Sequence, residues 1–219
     1  VSYSKCEQAS QFYKEKWRLK MARLEVITGP MFSGKSEELV RRLRRAAFAN
    51  QSIFLCNPAS DVRRTRNIFN LVSNDNKLSS YQHLSRYNIT DVENLKEAFD
   101  EHKPHILAID EAQFLFLNYE VFDFLVDLLE REKNSDFLII VSGLCLDADG
   151  RSFGVLPELM SKADEICLLN AVCVRCGNPA IFTQKKPGGS QKQVEVGDEN
   201  LYEARCRKCF VKQSLLPHQ

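Results

Sequence analysis

Residues 24–40 read LEVITGPMFSGKSEELV. In order, they spell a short apolar strand, a glycine-bracketed turn and the start of an amphipathic helix, with Leu39, Val40, Leu43, Ala46 and Ala47 on one helical face to about Ala49. Gly29, Pro30, Met31, Phe32, Ser33, Gly34, Lys35 and Ser36 satisfy G-x-x-x-x-G-K-[ST] at every fixed position. The chemistry follows from the spacing. Glycines let successive backbone N–H groups turn inward on phosphate oxygens, the helix N-terminus adds its dipole, Lys35 reaches the β and γ phosphates, and the Ser36 hydroxyl is placed for Mg²⁺. A nucleoside triphosphate with Mg²⁺ is therefore the expected ligand. The plain alternative, a glycine turn that only joins strand to helix, lacks a reason for Lys35 and Ser36.

Further strands are expected at Ser52 to Cys56, His105 to Ile109 and Phe137 to Val141, the last an unbroken apolar run of the kind buried on both faces of a parallel sheet. Thr90 and Glu93 form a capping box ahead of a helix of about ten residues, and Tyr119 to Glu132 reads as another helix. Strands alternating with helices imply an α/β fold, a P-loop RecA-like parallel sheet with helices on both faces. The segment from Pro58 to Tyr87 has no clean period and is expected to be irregular.

Ile106 to Ile109 deliver Asp110 and Glu111 to the end of a strand, where a nucleotide site needs carboxylates. Asp110 is the expected Mg²⁺-side carboxylate and Glu111 the expected general base, with Ala112 and Gln113 completing the segment against the nucleotide. A strand that simply ends in solvated acids is the competing reading.

Cys173-x-x-Cys176 and Cys206-x-x-Cys209 supply four thiolates in two knuckles separated by the 29 residues 177–205. That set matches closed tetrahedral structural Zn²⁺, with a long loop tied at both ends. Pro187 to Ser190 reads as its flexible tip. The expected division is 1–22 as an N-terminal extension, 23–170 as the P-loop nucleotide-binding domain, and 171–219 as a small zinc-ribbon domain with a long loop and tail. Met21 lies just before the first strand, and the native start is expected there.

With 30 Lys and Arg against 29 Asp and Glu, the net charge of +1 gives no overall case for nucleic acid or an anionic membrane as partner. No apolar stretch approaches the roughly 20 residues of a membrane helix, so a cytoplasmic protein with a small-molecule substrate is expected. Arg41, Arg42, Arg44 and Arg45 fall opposite the apolar helix stripe and are expected to be a solvated face. None of the four histidines has a partner at ligand or triad spacing.

The order of these motifs resembles the zinc-containing (type II, cytosolic-type) thymidine kinase family from about Leu24 to Phe210. The residues that carry it are the phosphate loop 29–36, Asp61-x-Arg63, Asp110-Glu111-Ala112-Gln113-Phe114, Gly143-Leu144, Phe153-Gly154, Ala171-Val172-Cys173, Val194-Glu195-Val196, and Tyr202 before Cys206. The resemblance implies transfer of the ATP γ-phosphate to the 5′-hydroxyl of thymidine with Glu111 as base, in a homotetramer inhibited by dTTP. It also implies that Met31, Phe153, Thr183 and Tyr202 line the nucleoside pocket, that backbone around Val194 to Val196 reads the base, and that Asp61 and Arg63 help hold substrate or phosphate. The chain departs from the family pattern at Ala148, where an aromatic is usual, and in the stretch Val196 to Tyr202, one residue shorter than usual. Those departures keep open a kinase for another nucleoside. A nucleic-acid-dependent P-loop ATPase would need a second RecA-like domain and a basic channel, and a nucleotide-sensing zinc module would make no phosphorylated product.

Overall fold

A computed structural model describes residues 20–61, 67–186 and 200–212. Arg63, Val194 and Val196, and the expected tip Pro187 to Ser190, lie outside these. Six strands form one sheet: β1 (Arg23–Thr28), β2 (Ile53–Pro58), β3 (Leu84–Ile89), β4 (Ile106–Ile109), β5 (Leu138–Gly143) and β6 (Glu165–Leu168), in the order β3-β2-β4-β5-β1-β6. Every pairing is parallel.

The strand side chains divide cleanly between two cores, as period-2 alternation on a two-sided sheet demands. Phe54 and Cys56, Leu107 and Ile109, and Ile139 and Val141 face α3 (Val92–His102), α4 (Glu120–Arg131) and α5 (Leu156–Met160). Ile53 and Leu55, Ile106 and Ala108, and Ile140 face α1 (Lys35–Phe48) and α2 (Ile68–Ser73). The stripe Leu39, Val40, Leu43, Ala46 and Ala47 is the buried face of α1, as expected, and Glu37 and Glu38 in its first turn complement the helix dipole.

Three sequence expectations need correction. The cap of α3 is Asp91, whose carboxylate accepts the Asn94 N–H at 2.8 Å, rather than Thr90, whose hydroxyl is turned onto Asp91. A short aspartate directly before the helix reaches the open N–H groups without competition. The stretch 58–87 is also more regular than its polarity suggests, since it contains α2 and most of edge strand β3, whose side chains are mostly only half buried. Half-buried edge strands carry polar residues and lose the apolar signature. The edge strand β6, of four residues, and the helix α5, of five, went unread because each is too short to show a period. Finally, Arg42 is no solvated residue. Its guanidinium donates to Glu38 at 2.9 Å and Glu165 at 2.8 Å and pairs with Glu25, tying α1 to β1 and β6, while Arg44 pairs with Asp75.

After β6 the chain builds two small antiparallel pairs, β7 (Ala171–Val172) with β8 (Pro179–Ala180), and β9 (Phe182–Lys185) with β10 (Tyr202–Arg205). Their core is small and sulfur-rich: Ala171, Cys173, Ala180, Ala204, Cys206 and Cys209. Phe182 stacks on Phe210 with centroids 4.3 Å apart. No described helix is long and apolar enough to cross a membrane.

Candidate active site

The sheet order decides where the chemistry-bearing residues meet. β4, β5 and β1 are neighbours, so their C-terminal ends set Asp110 and Glu111, then Ser142 and Gly143, then the phosphate loop side by side on one edge. Ser36 Oγ donates to Asp110 Oδ2 at 2.7 Å, and Ser142 Oγ donates to Asp110 Oδ1 at 2.6 Å from the intervening strand. Burial, and then the adjacent Glu111 charge, push the Asp110 carboxyl up to about 6 against the pull of those two hydroxyls. Two serine hydroxyls are neutral donors, and a divalent cation would supply the positive charge that a buried carboxylate favours.

The phosphate loop is held from behind. A Cβ on Gly29 would lie 2.4 Å from the Leu169 carbonyl oxygen, so only glycine lets the loop approach the chain leaving β6. Gly34, at φ +82, caps α1 and opens its first N–H groups toward the loop. Phe32 also has positive φ, at +66, a conformation that turns loop N–H groups inward at a cost in backbone strain. Lys35 is buried, and its ammonium donates to the Pro30 carbonyl at 2.8 Å, as does the Ser33 hydroxyl at 2.8 Å.

Glu111 stands in the left-handed region at φ +49, ψ +37, and starts the single 3₁₀ turn Ala112–Phe114. Its carboxylate accepts from Gln113 Nε2 at 2.7 Å. Gln113 is buried and its own Oε1 accepts the Leu144 N–H at 3.0 Å, so the amide links Glu111 to the segment that follows β5. Strained backbone and a fixed carboxylate at the mouth of a phosphate site suit a base rather than a structural acid.

The residues expected in a nucleoside pocket are brought together in part. The Met31 N–H donates to Thr183 Oγ1 at 2.9 Å, joining the phosphate loop to β9. Tyr202, opposite Lys185 in the β9–β10 register, is buried with that ammonium over its ring. Phe153 is buried, its N–H bonded to the Cys145 carbonyl at 3.0 Å. The next residue, Gly154, has φ +54, and a Cβ there would overlap the Phe116 carbonyl at 2.0 Å. Ala148 sits half-buried in a turn that packs through Gly150 against the rings of Phe182 and Phe210. Asp61 is buried, and its carboxylate accepts from Asn57 Nδ2 at 3.4 Å.

The ligating sulfurs of Cys173, Cys176, Cys206 and Cys209 lie within 4.8 Å of one another. At 3.5 Å the Cys176 and Cys206 sulfurs are too far apart for a disulfide. Burial acts to raise the Cys173 thiol, yet N–H groups of Cys206, Arg175 and Cys176 outweigh it and bring it down to about 6. Cys209 goes the other way, pushed up to about 12 by burial and by the neighbouring sulfurs. Four thiols this close cannot all ionise unless a cation neutralises them, and four sulfur donors in two knuckles fit Zn²⁺.

Sequence reasoning missed Ser142, the Thr183 to Met31 link and the Leu169 buttress. Ser142 had a signal, a lone hydroxyl at the C-terminal end of an otherwise apolar buried strand. The other two are long-range contacts with no local signature.

The thymidine kinase family profile matches residues 22–210. The chain belongs to the thymidine kinase family. It is similar to a thymidine kinase of Bacteroides thetaiotaomicron, with 36% identity over 191 residues that cover 87% of each protein.

Proposed function

We propose that this thymidine kinase family member transfers the γ-phosphoryl group of ATP to the 5′-hydroxyl of thymidine, with Glu111 as general base. The carrying observation is the family match across 22–210 in a chain whose phosphate loop, Asp110 and Glu111 share one sheet edge. Glu111 takes the 5′-hydroxyl proton as the new O–P bond forms and ADP leaves. Transfer passes through a loose transition state, so positioning and charge neutralisation matter more than strong base chemistry. The loop N–H groups from Phe32 to Ser36 and the Lys35 ammonium hold the phosphates. Ser36 and Asp110 would hold Mg²⁺, which neutralises charge on the transferring group when bound. Gln113 fixes the Glu111 carboxylate.

In the same reading, 23–170 is the kinase domain, and 171–219 folds around Zn²⁺ held by the four cysteines and closes a lasso over the nucleoside. Exclusion of water by the lasso protects ATP from hydrolysis. Met31, Phe153, Thr183 and Tyr202 line the pocket, with Val194 and Val196 at the base and Asp61 and Arg63 toward the phosphates. A dTTP molecule carries the base of one substrate and the triphosphate of the other, so it suits feedback inhibition at this site. A homotetramer is supported by Ile166 and Leu168, apolar and exposed on edge strand β6. We place the protein in the cytoplasm, in agreement with its small-molecule substrates. The test is a panel of nucleosides with γ-labelled ATP. Label on thymidine supports the reading, a purine nucleoside preferred over thymidine refutes the substrate, and ATP hydrolysis without any nucleoside product refutes the kinase.

A further inference from the structure

From the link between β9 and the phosphate loop we infer that Thr183 is a positioning residue for nucleotide, one that aims Lys35 by holding the Pro30–Met31 peptide. The inference rests on reading residues 29–36 as the nucleotide site. Three contacts converge on this one peptide unit. Its N–H, from Met31, donates to Thr183 Oγ1 at 2.9 Å, and its carbonyl, from Pro30, accepts from Lys35 Nζ at 2.8 Å and from Ser33 Oγ at 2.8 Å. In a trans peptide the N–H and the C=O point in opposite directions. Anchoring the N–H outward on Thr183 therefore turns the carbonyl inward, where it holds the ammonium and the loop hydroxyl.

The anchor is firm on its far side. Thr183 is buried at 4% exposure and pairs with Ala204 in the β9–β10 ladder. The Ala204 carbonyl accepts the Val174 N–H at 3.1 Å, and Ala204 shares its core with Cys173, Cys206 and Cys209. The Thr183 hydroxyl thus joins the cysteine-bearing segment to the nucleotide site. Without that hydroxyl the Met31 N–H has no acceptor there and the peptide is free to rotate, taking the Lys35 carbonyl contact with it. A residue that only lined the nucleoside pocket would touch nucleoside affinity and leave nucleotide affinity alone.

The experiment measures binding of the Mg²⁺ complex of the non-hydrolysable β,γ-imido analogue of ATP by calorimetry, without nucleoside, to the full chain and to Thr183→Val and Thr183→Ser. Thr183→Val should weaken binding roughly five- to tenfold, the scale of one lost hydrogen bond with an orphaned partner, and Thr183→Ser should bind within about twofold of the parent. Equal affinity for Thr183→Val and the parent overturns the inference, and so does a Thr183→Ser as weak as Thr183→Val, which would make the methyl group the cause. A parent that does not bind the analogue refutes the nucleotide-site reading instead. Should Thr183→Val not fold, the parent still decides. The chain has 3 methionines, so ¹⁵N-methionine labelling resolves the Met31 amide. It should be protected from hydrogen exchange in the free protein and in Thr183→Ser, and a Met31 amide exchanging as fast as an open loop overturns the inference.

Discussion

Replacing Gln113 by Leu removes two contacts at once, and they have separable consequences. Gln113 is about 1% exposed, donates to Glu111 at 2.7 Å and accepts from the Leu144 N–H at 3.0 Å. Leucine keeps the volume and leaves the Leu144 N–H buried without a partner, which costs about 1 to 3 kcal/mol of stability. It also frees the Glu111 carboxylate. A hydrogen bond to a charged group is worth about 1.5 to 3 kcal/mol, and Glu111 sits at φ +49, a conformation that its surroundings must sustain. If that bond holds the base in its reactive position, its loss appears in turnover as roughly 10- to 100-fold in kcat. Gln113→Glu separates the two effects, because it can still accept from Leu144 but turns an anion toward Glu111. The assay is steady-state phosphorylation of thymidine alongside thermal unfolding. Both variants should lose kcat with KM for ATP within about twofold, while only Gln113→Leu loses the Leu144 contact. Wild-type kcat in either variant refutes the assignment of Gln113 as the residue that holds the base.

Three further outcomes follow from the geometry. Metal analysis of protein purified without chelator should find one zinc per chain, and strong chelation should unfold the β7–β10 segment around the four cysteines before the sheet while weakening nucleotide affinity through Thr183; a zinc-free folded protein contradicts this. Because burial raises Asp110 to about 6, its carboxylate form is favoured only above that value. Mg²⁺ affinity should therefore fall by up to about tenfold per pH unit below about 6 and level off above it, as titration calorimetry between pH 5 and 8 can check. Arg42→Met leaves Glu25, with a side chain about 10% exposed, without its principal cation, and should destabilise the fold by about 2 to 3 kcal/mol in urea, with part of the loss recovered by adding Glu25→Gln.

What was legible in the sequence was whatever repeats locally. The apolar runs of β1, β4 and β5 and the stripe of α1 announced a two-sided parallel sheet, because buried parallel strands show no polar face. The phosphate loop and the Cys-x-x-Cys pairs were legible because their chemistry fixes residue types at short spacing. Edge strand β3 was not, since its half-exposed side chains are polar and erase the pattern, and β6, at four residues, is too short to show one. Arg42 looked like a surface residue because nothing nearby in sequence reveals Glu25 and Glu165 across the fold. Nor could the sequence show that β5 lies between β4 and β1, the one fact that brings Ser142 onto Asp110 and explains why Asp110 and Ser36 meet.

The most direct test is formation of thymidine 5′-monophosphate from thymidine and ATP by the full chain and by Glu111→Gln, with the affinities of both substrates measured in parallel. A carboxamide cannot take the hydroxyl proton but keeps the shape of the side chain. We predict product from the parent, and in Glu111→Gln a loss of about 10² or more in kcat with little change in either affinity. Turnover close to the parent's in Glu111→Gln would contradict the account and place the base elsewhere.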